Sequence, residues 1–116
     1  MARFSTHTLD GVDGTHAGGI AITLTHVGDE INTIFTAQTD KNGRLSEDID
    51  LSGTDPDVLY ELVFRTGPYW AARDLPSGIG QVIPEIVLRF RMKDPHGKYH
   101  MPLIFSPNSY STWTSG

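Results

Sequence analysis

Five histidines, at positions 7, 16, 26, 96 and 100, are the side chains best suited to moving a proton near neutral pH. Their spacing contains no i, i+4 pair on a helical pattern and no carboxylate-flanked metalloprotease arrangement, so no metal site is expected. Cysteine is absent, which removes thiolate ligands, thiol nucleophiles and disulfides together. His16 and His96 fall in turn-like stretches near glycine and read as solvated imidazoles. His26 ends a strand whose alternation turns it outward. His7 and His100 differ, because each lies inside an expected strand and the two sit at opposite ends of the chain. Arg44 follows the turn Asp40-Lys41-Asn42-Gly43 and on its own reads as a surface residue just past a hairpin. Gly78-Ile79-Gly80-Gln81 is rich in glycine but lacks the Lys-Ser/Thr ending of a phosphate loop, and it reads as a plain connection.

The elements that must position these groups are mostly strands. Short runs rich in Ile, Val, Phe, Thr and Tyr alternate with Gly, Pro, Asn and Asp at hairpin intervals. Strands are expected over Phe4 to Leu9, Ile20 to Val27, Thr33 to Thr39, Arg44 to Leu51, Leu59 to Arg65, Ile86 to Arg91 and Lys98 to Phe105, with a short one around Ser111. Gly28-Asp29, Asp40-Lys41-Asn42-Gly43 and Asp94-Pro95-His96-Gly97 carry turn residues in turn positions. Only Tyr69 to Asp74 reads as helical, since Pro68 suits a first turn and Leu75-Pro76-Ser77-Gly78 stops the run. Seven or eight short antiparallel strands with one short helix imply an all-β sandwich.

A chain of 116 residues with 38% hydrophobic content fits a single compact domain, 1–116. The net charge is −5 and the nine basic residues are scattered, so no nucleic-acid surface is expected. No apolar run has signal-peptide length and none approaches the ~20 residues of a membrane span. A soluble protein in the cytoplasm is expected, with no membrane partner. An anionic ligand would need a local positive group.

Ser5-Thr6-His7-Thr8-Leu9-Asp10 near the start pairs with Tyr99-His100-Met101-Pro102-Leu103 near the end, and Thr39 to Arg44, Leu62 to Gly67 and Ile83 to Ile86 lie between them. Together these resemble the transthyretin-like 5-hydroxyisourate hydrolases, and the resemblance spans nearly the whole chain. It implies a transthyretin-like β-sandwich, and hydrolysis of the cyclic amide of 5-hydroxyisourate, a product of urate oxidation, without a cofactor. It implies a homotetramer built as a dimer of dimers. It also places His7, Arg44 and His100 together at the mouth of a channel between dimers. Transthyretin itself, the hormone-binding relative, lacks this trio, so its presence favours hydrolysis over ligand carriage. The alternatives are a small-ligand binding protein without chemistry and a hydrolase of a related cyclic amide.

The last four residues depart from the pattern. The hydrolases end in tyrosine-arginine-glycine-serine at the active site, where this chain has Trp113-Thr114-Ser115-Gly116. Trp113, Thr114 and Ser115 are therefore the expected substrate-binding residues of the tail. The exchange of Arg for Thr removes a fixed positive charge. Arg3 or Lys98 could replace it, and Lys98 is expected to need a local bulge to face with His100. Tyr110 reads as a cap over the core, and Trp113 equally as a cap or as a flat surface for a heterocycle.

Overall fold

Residue by residue, the first strand alternates between buried and accessible positions, and the molecule is organised around it. In the computed structural model, which describes residues 1–28, 31–75 and 80–115, β1 (Ala2–Asp10) turns Phe4, Thr6, Thr8 and Asp10 inward and Arg3, Ser5, His7 and Leu9 outward. It pairs antiparallel with β4 (Arg44–Ile49) on one side. On its other side it runs parallel to β7 (Lys98–His100) and then to β8 (Leu103–Ser106), and β8 is joined antiparallel to β9 (Ser109–Thr112). The second sheet has the order β3 (Ile31–Gln38), β2 (Ala21–Val27), β5 (Leu59–Arg65), β6 (Ile86–Phe90), all antiparallel.

The core between the sheets consists of Phe4, Leu103 and Phe105 from one side and Ile22, Leu24, Leu62 and Phe64 from the other, none of them accessible to solvent. Burying a side chain of this size stabilises the fold by about 1.5–3 kcal/mol. Beside this core, Tyr69 and Trp70 of the helix α1 (Gly67–Ala71) pack edge-on against Phe105. The Tyr69 hydroxyl donates to Asp10 Oδ2 at 2.7 Å and ties the helix to the end of β1. Burial, then the Asp10 carboxylate, holds the Tyr69 hydroxyl well above its ordinary pKa.

The β-sandwich with one short helix is as expected, and Leu59–Arg65 matches its expected strand end to end. Three details differ. The expected strand Lys98 to Phe105 is divided into β7 and β8, which raises the count among the described residues to nine, because Pro102 has no N–H to give to the ladder. β7 and β8 run parallel to β1 within sheets expected to be antiparallel throughout. The helix starts two residues early, at Gly67, with Pro68 in its first turn, and closes where the Ala72 N–H meets the Pro68 carbonyl at 3.2 Å. The expected turn at Asp29, the helix stop at Pro76 to Gly78 and the first half of the Gly78-Ile79-Gly80-Gln81 connection lie outside the described residues, as does Gly116.

Candidate active site

Register unites groups that are distant in sequence. His7 on β1 lies directly opposite Arg44 on β4, and Ser5, two residues before His7 and therefore on the same face, lies opposite His100 on β7. His7, Arg44 and His100 thus share the outer face of the first sheet. Ser5 Oγ and His100 Nδ1 are 2.8 Å apart, across 95 residues of sequence. Ser5, Arg44, Ser46, Asp40 and His100 line a cleft of about 290 Å³.

Arg44 owes its place to the turn before it. Asp40 Oδ1 accepts from the Asn42 and Arg44 backbone N–H groups at 2.8 and 2.9 Å, and these bonds hold the Asp40 carboxyl below its ordinary pKa. Gly43 has φ of +76°, and a Cβ there would collide with the Thr8 carbonyl oxygen. From the inner face, Thr8 Oγ1 donates to the Ala17 carbonyl at 2.6 Å, and the Thr8 N–H donates to the Gly43 carbonyl at 2.7 Å. The rung that carries His7 and Arg44 is thereby fixed from both sides.

His7 has a partner that the sequence reading missed. Its Nε2 is 2.8 Å from Nδ1 of His16, and the two rings are 4.9 Å apart. His16 is exposed, as expected of a turn histidine, but it is not free in solvent. The chain turns back after Asp10 so that His16 pairs with Leu9, and His16 then lies diagonal to His7. Burial first, then the Arg44 charge, then His16 hold His7 below its ordinary pKa. The signals available in sequence were the glycines at 11 and 14 and the short spacing from His7, which suit a tight reversal.

The tail reaches the site by its backbone. His100 and Ser115 exchange both main-chain hydrogen bonds, N to O at 3.0 and 3.1 Å. Thr114 and Ser115 line a separate cavity of about 360 Å³ with Phe90, Arg91, Tyr99 and Met101, rather than the cleft of Arg44. Trp113 is 48% exposed and Tyr110 46%, so neither caps the core. Arg3 is engaged by Asp48 at 3.1 Å. Lys98 sits two residues before His100 in a regularly paired strand, so it shares the face of His100 without a bulge.

His26 is a further correction. It pairs with Tyr60 in register with the buried pair Leu24 and Leu62, so it points inward, and it lines a cavity of about 740 Å³ with Tyr60, Ile34, Ile49 and Val58 at the other end of β1. Alternation groups His26 with Leu24 and Ile22, and that face of β2 is the buried one. His96 is exposed in its turn, as expected. Among the described residues no three His, Asp or Glu side chains are placed to hold a metal. No helix among them is long and apolar enough to cross a membrane.

The chain matches the model of the HIUase/Transthyretin family over residues 4–115. A 5-hydroxyisourate hydrolase of Pseudomonas aeruginosa is 39% identical, with 97% of this chain and 90% of that protein covered. Among solved structures, an (S)-allantoin synthase superposes with a TM-score of 0.81 at 29% identity over 99% of this chain, which spans 44% of that longer protein. A transthyretin of Sparus aurata superposes with a TM-score of 0.77 at 26% identity, covering 97% of this chain and 95% of the other. The family match over nearly the whole chain and these likenesses agree, and the chain belongs to the HIUase/Transthyretin family.

Proposed function

We propose that this protein hydrolyses 5-hydroxyisourate, opening its cyclic amide to 2-oxo-4-hydroxy-4-carboxy-5-ureidoimidazoline in urate degradation, with His7, Arg44 and His100 as the catalytic residues. The observation that carries this reading is the convergence of a permanently charged guanidinium and two imidazoles on one outer sheet face, beside a cleft that Arg44 and His100 both line. Water adds to the lactam carbonyl, the tetrahedral intermediate expels the ring nitrogen, and that nitrogen takes up a proton as the new carboxylate forms. A neutral imidazole accepts the proton of the attacking water and returns it to the departing nitrogen, while Arg44 holds the developing oxyanion. The lowered pKa of His7 keeps it in the basic form near neutrality. The guanidinium also supplies the local positive charge that an anionic substrate needs in a chain of net charge −5.

Trp113, Thr114 and Ser115 are the tail residues proposed to approach substrate, through the backbone tether at His100; within one copy of the chain Thr114 and Ser115 line a different cavity from that of Arg44. The assembly proposed is a homotetramer, a dimer of dimers. Ile104, Tyr110 and Trp113 are exposed on and just past the β8–β9 edge, and among the described residues β9 has no partner on its outer side, which leaves surface and hydrogen-bonding groups for a second copy. The reaction calls for no cofactor, and the cytoplasm is the compartment proposed for a chain whose fold needs no disulfide. A second reading, a ligand-binding protein without turnover, draws on one observation: Thr114 stands where the resembling hydrolases carry arginine.

The deciding experiment generates 5-hydroxyisourate in situ from urate with urate oxidase and follows its ultraviolet decay. Acceleration by the protein that disappears in His100→Ala supports the hydrolase. Saturable binding of the compound with no acceleration replaces it with the carrier.

A further inference from the structure

We propose that His16 is a positioning residue for His7, fixing its ring and its tautomer through the Nε2 to Nδ1 contact; the inference rests on the hydrolase reading above. At 2.8 Å one nitrogen of the pair carries the proton and the other offers its lone pair. The contact therefore tolerates two neutral rings or one shared charge, and it opposes two imidazolium ions. It also leaves His7 a single orientation on a strand face where Arg44, its cross-strand neighbour, gives it no hydrogen bond among the described residues.

The segment that delivers His16 is built to hold still. The Asp10 N–H donates to the Thr15 carbonyl at 2.8 Å and the Ala17 N–H to the Thr8 carbonyl at 2.9 Å, on either side of His16. Asp13 Oδ1 accepts from both the N–H and the hydroxyl of Thr15, at 2.9 and 2.6 Å. Asp10 Oδ1, buried beneath, accepts from the N–H groups of Val12 and Asp13. Gly14, at φ of +77°, makes the reversal. A solvated turn histidine would not need this scaffold.

The groups that face His7 come from every neighbouring element. Arg44 on β4, His16 on the reversal and His100 on β7 favour its neutral form, while the Asn42 carbonyl in the turn before β4 favours the protonated one. Asp40, in the same turn, feels the His7 charge in return. Removing His16 takes away one repulsive neighbour together with the hydrogen bond.

The test compares wild type, His16→Ala and His16→Gln by kcat and KM across pH, and by NMR titration of the His7 ring in the resting protein. His16→Ala is expected to lower kcat about tenfold or more at nearly unchanged KM, as a small misplacement of a reacting group does. It should also move the His7 titration, and with it the acid limb of kcat/KM, to higher pH. His16→Gln restores a hydrogen-bonding side chain without a charge, so kcat should recover while the titration stays with the alanine variant. Wild-type kcat together with an unmoved His7 titration in both variants overturns the proposal. If wild type does not turn over 5-hydroxyisourate, the hydrolase reading fails by itself. The NMR titration still decides whether His16 governs His7. If the alanine variant does not fold, the glutamine variant carries the same decision through its titration.

Discussion

The two faces of β1 use the same backbone for opposite purposes. Inward, Phe4 is sealed between the sheets, and Thr6, Thr8 and Asp10 are buried with their oxygens bonded to Met101, Ala17 and Tyr69 respectively. Outward, Ser5 and His7 are half-buried and meet the imidazoles of His100 and His16. Buried polar groups need permanent partners because an unmade bond in the interior costs about 1–3 kcal/mol. A reacting face needs groups whose protons are free to move. Putting the two on one strand lets the satisfied face set the geometry of the face proposed to react. Among buried side-chain polar atoms of the described residues, Trp70 Nε1 is the one without a partner, and it belongs to the helix rather than to β1.

The separation of roles can be broken at adjacent positions. The largest effect is expected on the outer face: His7→Ala should lower kcat/KM by about 100- to 10,000-fold, the range of a positioned proton-transfer group, with the melting temperature nearly unchanged. A collapse of stability in that variant would mean that the outer face is structural after all. Phe4→Ala, three residues away and facing inward, should cost about 3–5 kcal/mol by denaturant unfolding, because it opens a cavity beside Phe35 and Phe90. Thr8→Val strips the hydroxyl that holds the Ala17 carbonyl and should cost about 1–3 kcal/mol, together with a loss of activity, since the Gly43 to Arg44 rung hangs on the same residue. If the loss of stability came without a loss of rate, the inner face would not be setting the outer geometry. Arg44→Lys keeps the charge and loses the planar fork, so kcat/KM should fall about tenfold while unfolding is untouched.

The smallest effect is a matter of pH. In the proposed mechanism a base acts in its neutral form, and burial, Arg44 and His16 lower the pKa of His7, so its neutral form persists below the ordinary histidine value of about 6.5. The acid limb of kcat/KM should therefore lie below pH 6.5. A limb above that value would assign the essential base to another group.

Much of this division was legible from alternation. The sorting of β1 residues into two faces and the extent of β5 follow from period-two patterns, and the Asp40 to Gly43 turn from its residue types, because both signals are local. His26 shows where the same logic slips: alternation fixes which residues share a face, but not which face is the core. It is the register of His26 opposite Tyr60 that turns it inward. The strand expected through Met101 and Pro102 was written with one Pro in its middle, and the ladder divides there.

By itself the sequence determined the sandwich, the turn that presents Arg44, the placing of His7 and His100 in strands, and the family to which their motifs point. Only the tertiary structure decided that Ser5 meets His100 across 95 residues, that the exposed His16 comes within hydrogen-bond distance of His7, and that Thr114 and Ser115 line a cavity other than the cleft. These are outcomes of strand register and chain reversal. Their free energy lies in contacts between residues far apart in the chain, which no local propensity encodes.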